Sequence, residues 1–249
     1  MRGWWVLLAL WCRFASAEPV LNIYADAYAP FIQVSKEGLS GPYVDAFARL
    51  AQQQEIKIHF QAKPMRRLLK IVTTEPNSCG LAVHFSAENA ETLRYVARIA
   101  PITLAVYARQ GTVKPLSNIE ALRNYRIGAI DVAELREILD NTAIRYELLP
   151  KAGQGIAMLQ AGRFDLLISD VLPELVSAPV QGKPVQRVMV LARVERWLAC
   201  HPQLPPNTVK RLRAALTLGV FDDAMADIWQ RYGLSSVYNG VRREWILIP

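Results

Sequence analysis

The chain has 249 residues, of which 52% are hydrophobic and 20% are charged. This composition is typical of a globular protein with a sizeable core, and it excludes a largely disordered chain. The formal net charge is +7, but the lysines and arginines are scattered and never form a run of five. Such a balance argues weakly for nucleic acid and somewhat better for an anionic ligand.

The first seventeen residues have the pattern of a secretory signal peptide. Arg2 supplies a positive charge, an apolar run follows at residues 4–11, and residues 15–17 form a small-residue cleavage site. The run is too short to span a membrane, and no later segment approaches the ~20 apolar residues that a membrane helix needs. We therefore expect cleavage after Ala17 and a periplasmic protein that does not itself span the membrane. Two alternatives are an uncleaved interfacial helix and a lipid anchor at Cys12.

From Leu21 onward, strand-like and helix-like segments alternate along the chain. Before Gly111, apolar runs or period-two alternation predict strands at residues 21–25, 56–60, 81–85 and 102–108. Helical spacing of apolar residues predicts helices at 44–54 and 65–72. After Gly111 the pattern restarts, with strands predicted at 125–130, 144–148, 165–169, 185–191 and 197–200. Helices are predicted in this second part at 116–123, 133–139, 153–161, 206–218 and 221–232.

This alternation predicts an α/β protein whose sheets are mostly parallel and flanked by helices. Because the pattern runs twice, we expect two lobes, with the ligand at the carboxyl ends of the strands. A glycine-rich phosphate loop, a Gly-x-Ser-x-Gly elbow and a His-Glu-x-x-His motif are all absent from the sequence. The three histidines lack metal-type spacing, so neither a metal nor a cofactor is expected. They are His59, His84 and His201.

Cleavage after Ala17 would remove Cys12 and leave Cys79 and Cys200. Two cysteines in an oxidising compartment favour one disulfide. The alternative is two separately buried thiols.

Three short motifs stand in a characteristic order along the chain. Tyr-Ala-Pro-Phe at 28–31 follows the first predicted strand, Gly-Arg-Phe-Asp at 162–165 is followed by Asp170 five residues later, and Ile-Trp-Gln-Arg-Tyr-Gly lies at 228–233. Together they resemble bacterial extracellular solute-binding protein family 3, the polar amino acid-binding type. The segment Pro-Met-Arg-Arg at 64–67 resembles a branch of the family without a firmly assigned ligand.

The resemblance implies the periplasmic binding protein type 2 fold, with two crossover strands acting as a hinge. Lobe one would comprise residues 18–107 plus 195–249, and lobe two residues 108–194. The implied function is capture of a small polar ligand by lobe closure and its delivery, by a monomer, to an ABC-type permease. Alternatives are a receptor for a sensor or chemotaxis system and a periplasmic dehydratase-like enzyme, for which Asp170 or Glu134 could be the general acid or base.

The resemblance also indicates candidate ligand-binding residues. The family's carboxylate-binding arginine usually stands nine residues before the proline of the crossover strand. Counting back from Pro101 reaches Thr92, and Arg94 lies two residues away. A short deletion would bring Arg94 into that role; otherwise it is a surface residue.

Other candidates have equally plain structural alternatives. Tyr28 and Phe31 could offer an aromatic face to the ligand or simply pack in their loop. Arg67 could bind an anion or lie on a solvated helix face. Asp131, like Asp26, follows a strand and could contact the ligand or act as a helix or turn cap.

Asp170 is the strongest candidate. It follows the apolar strand 165–169, whose carboxyl end should open on the binding crevice. In the family, the aspartate at this position contacts the ligand's amino group. The alternative is that Asp170 caps a following helix. The implied fold also places Cys79 and Cys200 at the end of lobe one remote from the crevice, on adjacent antiparallel strands, where they can form the disulfide.

Overall fold

The computed structural model describes residues 20–149, 152–170 and 184–243. The predicted signal peptide at residues 1–17 lies outside the described residues. Among the described helices, none is both long and apolar enough to cross a membrane.

The chain alternates between strands and helices, as the sequence predicts. The strands are β1 (Leu21–Ala25), β2 (Gln33–Ser35), β3 (Gly38–Ser40), β4 (Ile58–Ala62), β5 (Ser78–His84), β6 (Arg94–Arg109), β7 (Ile127–Ile130), β8 (Glu147–Leu149), β9 (Leu166–Ser169) and β10 (Val185–Cys200). The helices are α1 (Pro42–Gln53), α2 (Met65–Thr74), α3 (Ala87–Ala90), α4 (Ala133–Asp140), α5 (Ala152–Gln160), α6 (Pro206–Ala215), α7 (Ala226–Arg231) and α8 (Ser235–Val241). Short 3-10 turns occupy Ile119–Asn124, Gly219–Phe221 and Asp223–Met225.

Several predicted elements differ from the structure. The helix predicted at 116–123 is a 3-10 turn at Ile119–Asn124. The two strands predicted at 185–191 and 197–200 are one continuous strand, β10, and the strand predicted at 102–108 is the second half of β6. Long antiparallel pairing between these two strands overrides the weak local strand preference of the charged segment 192–196 in β10 and of Pro101 in β6. The helix predicted at 221–232 begins only at Ala226, because Asp222 accepts a hydrogen bond from the Ala224 amide and holds a separate 3-10 turn.

Eight strands form one sheet in the order β4-β1-β5-β10-β6-β9-β7-β8. At one side, β1 pairs in parallel with β4 and β5; at the other, β7 pairs in parallel with β8 and β9. Between them, β6 and β10 run antiparallel over their whole length, from Arg94 opposite Cys200 to Arg109 opposite Val185. The two sets of parallel strands are therefore linked by a pair of sixteen-residue strands.

Each half of the sheet has its own core. We call the half with β1, β4 and β5 the first lobe and the half with β7, β8 and β9 the second lobe. In the first lobe, α1 begins with Pro42 directly after Gly41 and buries Val44, Phe47 and Leu50 against the sheet. In the second lobe, the buried strand β9 packs between two apolar clusters, one on each face.

A disulfide links Cys79 on β5 to Cys200 on β10. The two residues lie directly opposite each other in the antiparallel β5–β10 ladder. The bond expected from the resemblance is therefore present, at the amino-terminal end of β5, and it ties β10 to the first lobe.

Candidate ligand site at the junction of the two lobes

A buried ion pair lies where the two lobes meet. Asp170 directly follows β9 in the second lobe, and Arg196 stands on the part of β10 that pairs with β5 of the first lobe. Their Oδ2 and Nη2 atoms are 2.5 Å apart, and the exposed fractions of the two side chains are 2% and 3%. Two charges removed from water in this way stabilise the fold only if each keeps its partner.

His84 extends this pair toward the first lobe. It is the last residue of β5 and lies opposite Arg196 in the ladder. Its Nε2 atom is 3.0 Å from Arg196 Nη1. Because a guanidinium can only donate, Nε2 must accept, which requires a neutral imidazole with its proton on Nδ1.

Tyr28 closes the cluster from the loop after β1. The Arg196 guanidinium carbon lies 5.4 Å from the centre of the Tyr28 ring, within the range of a cation–π contact. The Tyr28 hydroxyl is buried and makes no hydrogen bond of normal geometry to the described residues. Burial, and then the negative charge of Asp170, hold the pKa of this hydroxyl well above its ordinary value.

The turn that carries Tyr28 is fixed by the backbone. The Tyr28 carbonyl accepts from the amides of Phe31 and Ile32, and the Tyr28 amide donates to Ile32. The turn packs against Gly41, which has a φ of +116°, and a Cβ there would lie 2.4 Å from the Phe31 carbonyl oxygen. Only glycine therefore allows α1 to start so close to the turn.

Phe31 points into the first-lobe core instead of the junction. It is 6% exposed, and its ring stacks on Tyr43 at a centroid distance of 5.0 Å. Its contact with Trp229 continues an aromatic cluster beneath the turn. Phe31 therefore packs in its loop, which is the structural alternative given above. Its ring supports the turn by packing against Tyr43 and Trp229.

The other predicted residues do not join this cluster. Asp26 accepts a hydrogen bond from the Met65 amide and so caps the start of α2. Arg67 is exposed on α2, which agrees with the alternative that it lies on a solvated helix face. Asp131 follows β7 and forms an ion pair with Arg136 on α4, where both side chains are partly exposed.

Arg94 lies toward the opposite end of the first lobe. It begins β6 opposite Cys200 and donates to the Leu204 carbonyl oxygen. Cys200 is four residues beyond Arg196 on β10, or about 13 Å along an extended strand. The structure thus places Arg94 beside the disulfide, away from Asp170.

Arg196 and His84 are the members of this cluster that sequence reasoning missed as ligand-site residues. Residues 192–196 fell between two predicted strands, so Arg196 was not expected to be buried. The available signal was a single arginine directly before the apolar segment Trp-Leu-Ala-Cys at residues 197–200. Charged residues are almost never fully buried without a partner, so an arginine within a strand should prompt a search for a carboxylate.

A surface groove of about 540 Å³ lies between α1 and β4 on the first lobe. It is lined by Ala48, Gln52, Glu55, Ile56, Lys57, Ile58 and Phe60. None of these residues belongs to the junction cluster, so the groove is separate from the candidate site.

The architecture is that of a two-lobe periplasmic binding protein, and solved structures of this kind are similar to it over nearly the whole chain. One is the sensor domain of a histidine kinase with similarity to periplasmic binding proteins, at a TM-score of 0.66 and 15% identity, covering 92% of this chain and 96% of that one. Another is the GluR0 ligand-binding core from Nostoc punctiforme in complex with L-glutamate, at a TM-score of 0.65 and 19% identity, covering 91% and 99%.

A third is the arginine-, lysine-, histidine-binding protein ArtJ from Geobacillus stearothermophilus, at a TM-score of 0.66 and 15% identity, covering 86% of this chain and 95% of that one. At these identities the similarity establishes the fold. No protein-family model matches the chain, and no curated protein matches it at a significant level.

Proposed function

We propose that this chain is an exported solute-binding protein that closes its two lobes over a small polar ligand at the junction described above. The observation that carries the proposal is the convergence of Tyr28, Asp170 and Arg196 from three distant segments at the junction of the lobes. A site assembled from both lobes is complete only when the lobes are closed. A ligand that contacts both lobes therefore favours the closed state by its differential affinity.

The chemistry of the cluster suits a small polar ligand. It combines an aromatic ring, a buried hydroxyl and two buried charges in a region shielded from water. Polar contacts are stronger in such surroundings, and leaving one unmade is costly, so the site would discriminate by hydrogen bonding and charge. Amino acids are the first class to test, because L-glutamate is bound in one similar structure and another protein is described as binding arginine, lysine and histidine.

A thermal-shift screen of the purified chain with amino acids, polyamines and small carboxylates tests the proposal. A ligand that binds only the folded state raises the melting temperature, by an amount that depends on its concentration relative to its Kd. Small-angle scattering with the same ligand should show a smaller radius of gyration on lobe closure. Tyr28→Ala should weaken binding, whereas Arg94→Ala, beside the disulfide, should not. A ligand that binds Tyr28→Ala and the native chain equally would contradict the proposed site.

Two partners fit this role. Delivery to an ABC-type permease is our first proposal. Presentation of the closed lobes to a sensor is our second proposal, and the similarity to a histidine kinase sensor domain supports it. Uptake of radiolabelled ligand by cells that lack the chain separates the two roles. Loss of a transport component should abolish uptake, whereas loss of a receptor should leave uptake intact.

Export rests on the signal-peptide pattern. Intact-mass analysis of periplasmic protein should find a chain that starts at Glu18, giving a formal charge of about +5 after loss of two arginines. A chain that still starts at Met1, or one acylated at Cys12, would contradict this part of the proposal.

A further inference from the structure

The groups around the Arg196 guanidinium have the properties of a binding site for a planar cation. Asp170 offers a carboxylate oxygen 2.5 Å from Nη2, and His84 offers a nitrogen 3.0 Å from Nη1. The ring of Tyr28 lies 5.4 Å from the guanidinium carbon. A carboxylate, a neutral acceptor and an aromatic ring are the features that recognise guanidinium in proteins.

These three groups come from different parts of the chain. Asp170 follows β9, His84 ends β5 and Tyr28 lies in the turn after β1. None of these three groups is on β10, which supplies the cation, and together they come from both lobes.

We propose that the two lobes form a cation-binding site at their junction, and that Arg196 fills this site from within the chain. Its guanidinium takes the position that an external guanidinium or ammonium group would otherwise occupy. The inference rests on the proposed function, because it concerns the same junction. It deepens that function by naming a class of ligand that the native site refuses, namely a simple cation that carries no carboxylate to pair with Arg196. With Asp170 engaged by Arg196, a simple amine approaching the junction meets a positive charge instead of an available carboxylate, and like charges repel strongly away from water.

A purely structural ion pair would have the same geometry, so loss of stability on truncation does not distinguish the two roles. A binding site differs in one respect: its surroundings should accept a free cation of the right shape once the tethered one is removed. Arg196→Ala removes the side chain beyond Cβ, and ethylguanidinium has the shape of the part removed. Ethylurea is a neutral control of nearly the same shape.

The test uses the exported chain with Arg196→Ala, titrated with millimolar ethylguanidinium chloride or ethylurea and followed by calorimetry and melting temperature. We expect the variant to bind ethylguanidinium at least tenfold more tightly than ethylurea, with a rise in melting temperature. The native chain should show neither effect, because its site is already filled. The double variant Asp170→Asn with Arg196→Ala should also show neither, because the carboxylate is gone.

Equal responses to the two probes, a response that persists in the double variant, or no response in folded Arg196→Ala would overturn the inference. If Arg196→Ala does not fold unaided, the yield on refolding with each probe is the readout, and a yield independent of ethylguanidinium would overturn it equally. The ligand screen uses the native chain, so the two proposals fail separately. If the screen finds a ligand for the native chain but ethylguanidinium does not bind Arg196→Ala, Arg196 is a structural residue only. If ethylguanidinium binds Arg196→Ala but the screen finds no ligand, only the proposed solute-binding function is contradicted.

Discussion

Asp170 and Arg196 form their ion pair across β6, the strand that separates β9 from β10 in the sheet. Because β9 and β10 do not pair with each other, Asp170 and Arg196 are in contact through their side chains alone. The pair connects the end of a second-lobe strand to the first-lobe part of the crossover. It therefore contributes both to folding and to the relative position of the lobes.

Asp170→Asn should destabilise the protein strongly. Asparagine keeps the shape and the capping ability of aspartate, but it leaves the Arg196 charge buried without a counter-ion. Breaking a buried pair in this way costs about 3–5 kcal/mol of unfolding free energy. Urea denaturation of the native chain and the variant measures it.

The matched control is Asp170→Asn combined with Arg196→Met, which removes both charges and keeps the volume. The double variant should recover most of the lost stability, because replacing a buried pair by apolar groups is often neutral. If Asp170→Asn alone were as stable as the native chain, the ion pair would have to be solvated.

Gly41→Ala should displace the turn that carries Tyr28. The new Cβ would lie 2.4 Å from the Phe31 carbonyl oxygen, and the residue would keep a φ of +116°. Gly38 is the matched control, because its φ is +125° but nothing lies within 4 Å of the added Cβ. Backbone strain alone costs about 1–3 kcal/mol, so Gly38→Ala should lose that much and Gly41→Ala clearly more. Equal losses in thermal unfolding would contradict the close packing of the turn.

Stability should fall in alkali between about pH 10 and pH 12. Burial, and then the hydrogen bond to Glu75, raise the pKa of Tyr24 to about 12 from 10.0. The unfolded chain therefore loses this proton first, so the contribution is fully present below pH 10 and is lost as the pH rises to about 12. Tyr24→Phe cannot lose a proton here, so its unfolding free energy should decline less steeply over the same range. Parallel declines would contradict the raised pKa.

Reduction of the Cys79–Cys200 disulfide should lower the unfolding free energy. The two cysteines are 121 residues apart in sequence, and closing so long a loop contributes roughly 4–5 kcal/mol in the chain-entropy model. Urea unfolding with and without reductant measures the difference, and Cys79→Ala with Cys200→Ala should be insensitive to reductant. Labelling of both thiols in denatured, unreduced protein would show that the bond does not form.

Local patterns were enough to predict the fold class and the position of Asp170. The apolar residues before Asp170 identify a buried strand, and the rule for open α/β sheets places its carboxyl end at the crevice. The disulfide was predicted from the two cysteines together with the strand neighbours that the family resemblance implies.

The partner of Asp170 could not be predicted in this way. Arg196 is buried because of the register of β10 against β5 and β6, and register is a relation between segments more than 90 residues apart. Arg94 illustrates the same difficulty, since counting back from Pro101 cannot show which end of a long strand faces the crevice. Its role in ligand binding stays a prediction.

The disulfide also sets the covalent connectivity of the molecule. Every residue from 80 to 199, including the whole second lobe, lies within a ring closed by the Cys79–Cys200 bond. A single peptide-bond cleavage anywhere in that ring would open it without releasing a fragment. A protease that cuts the second lobe once would therefore leave a molecule of nearly unchanged mass, whose two pieces separate only when the bond is reduced.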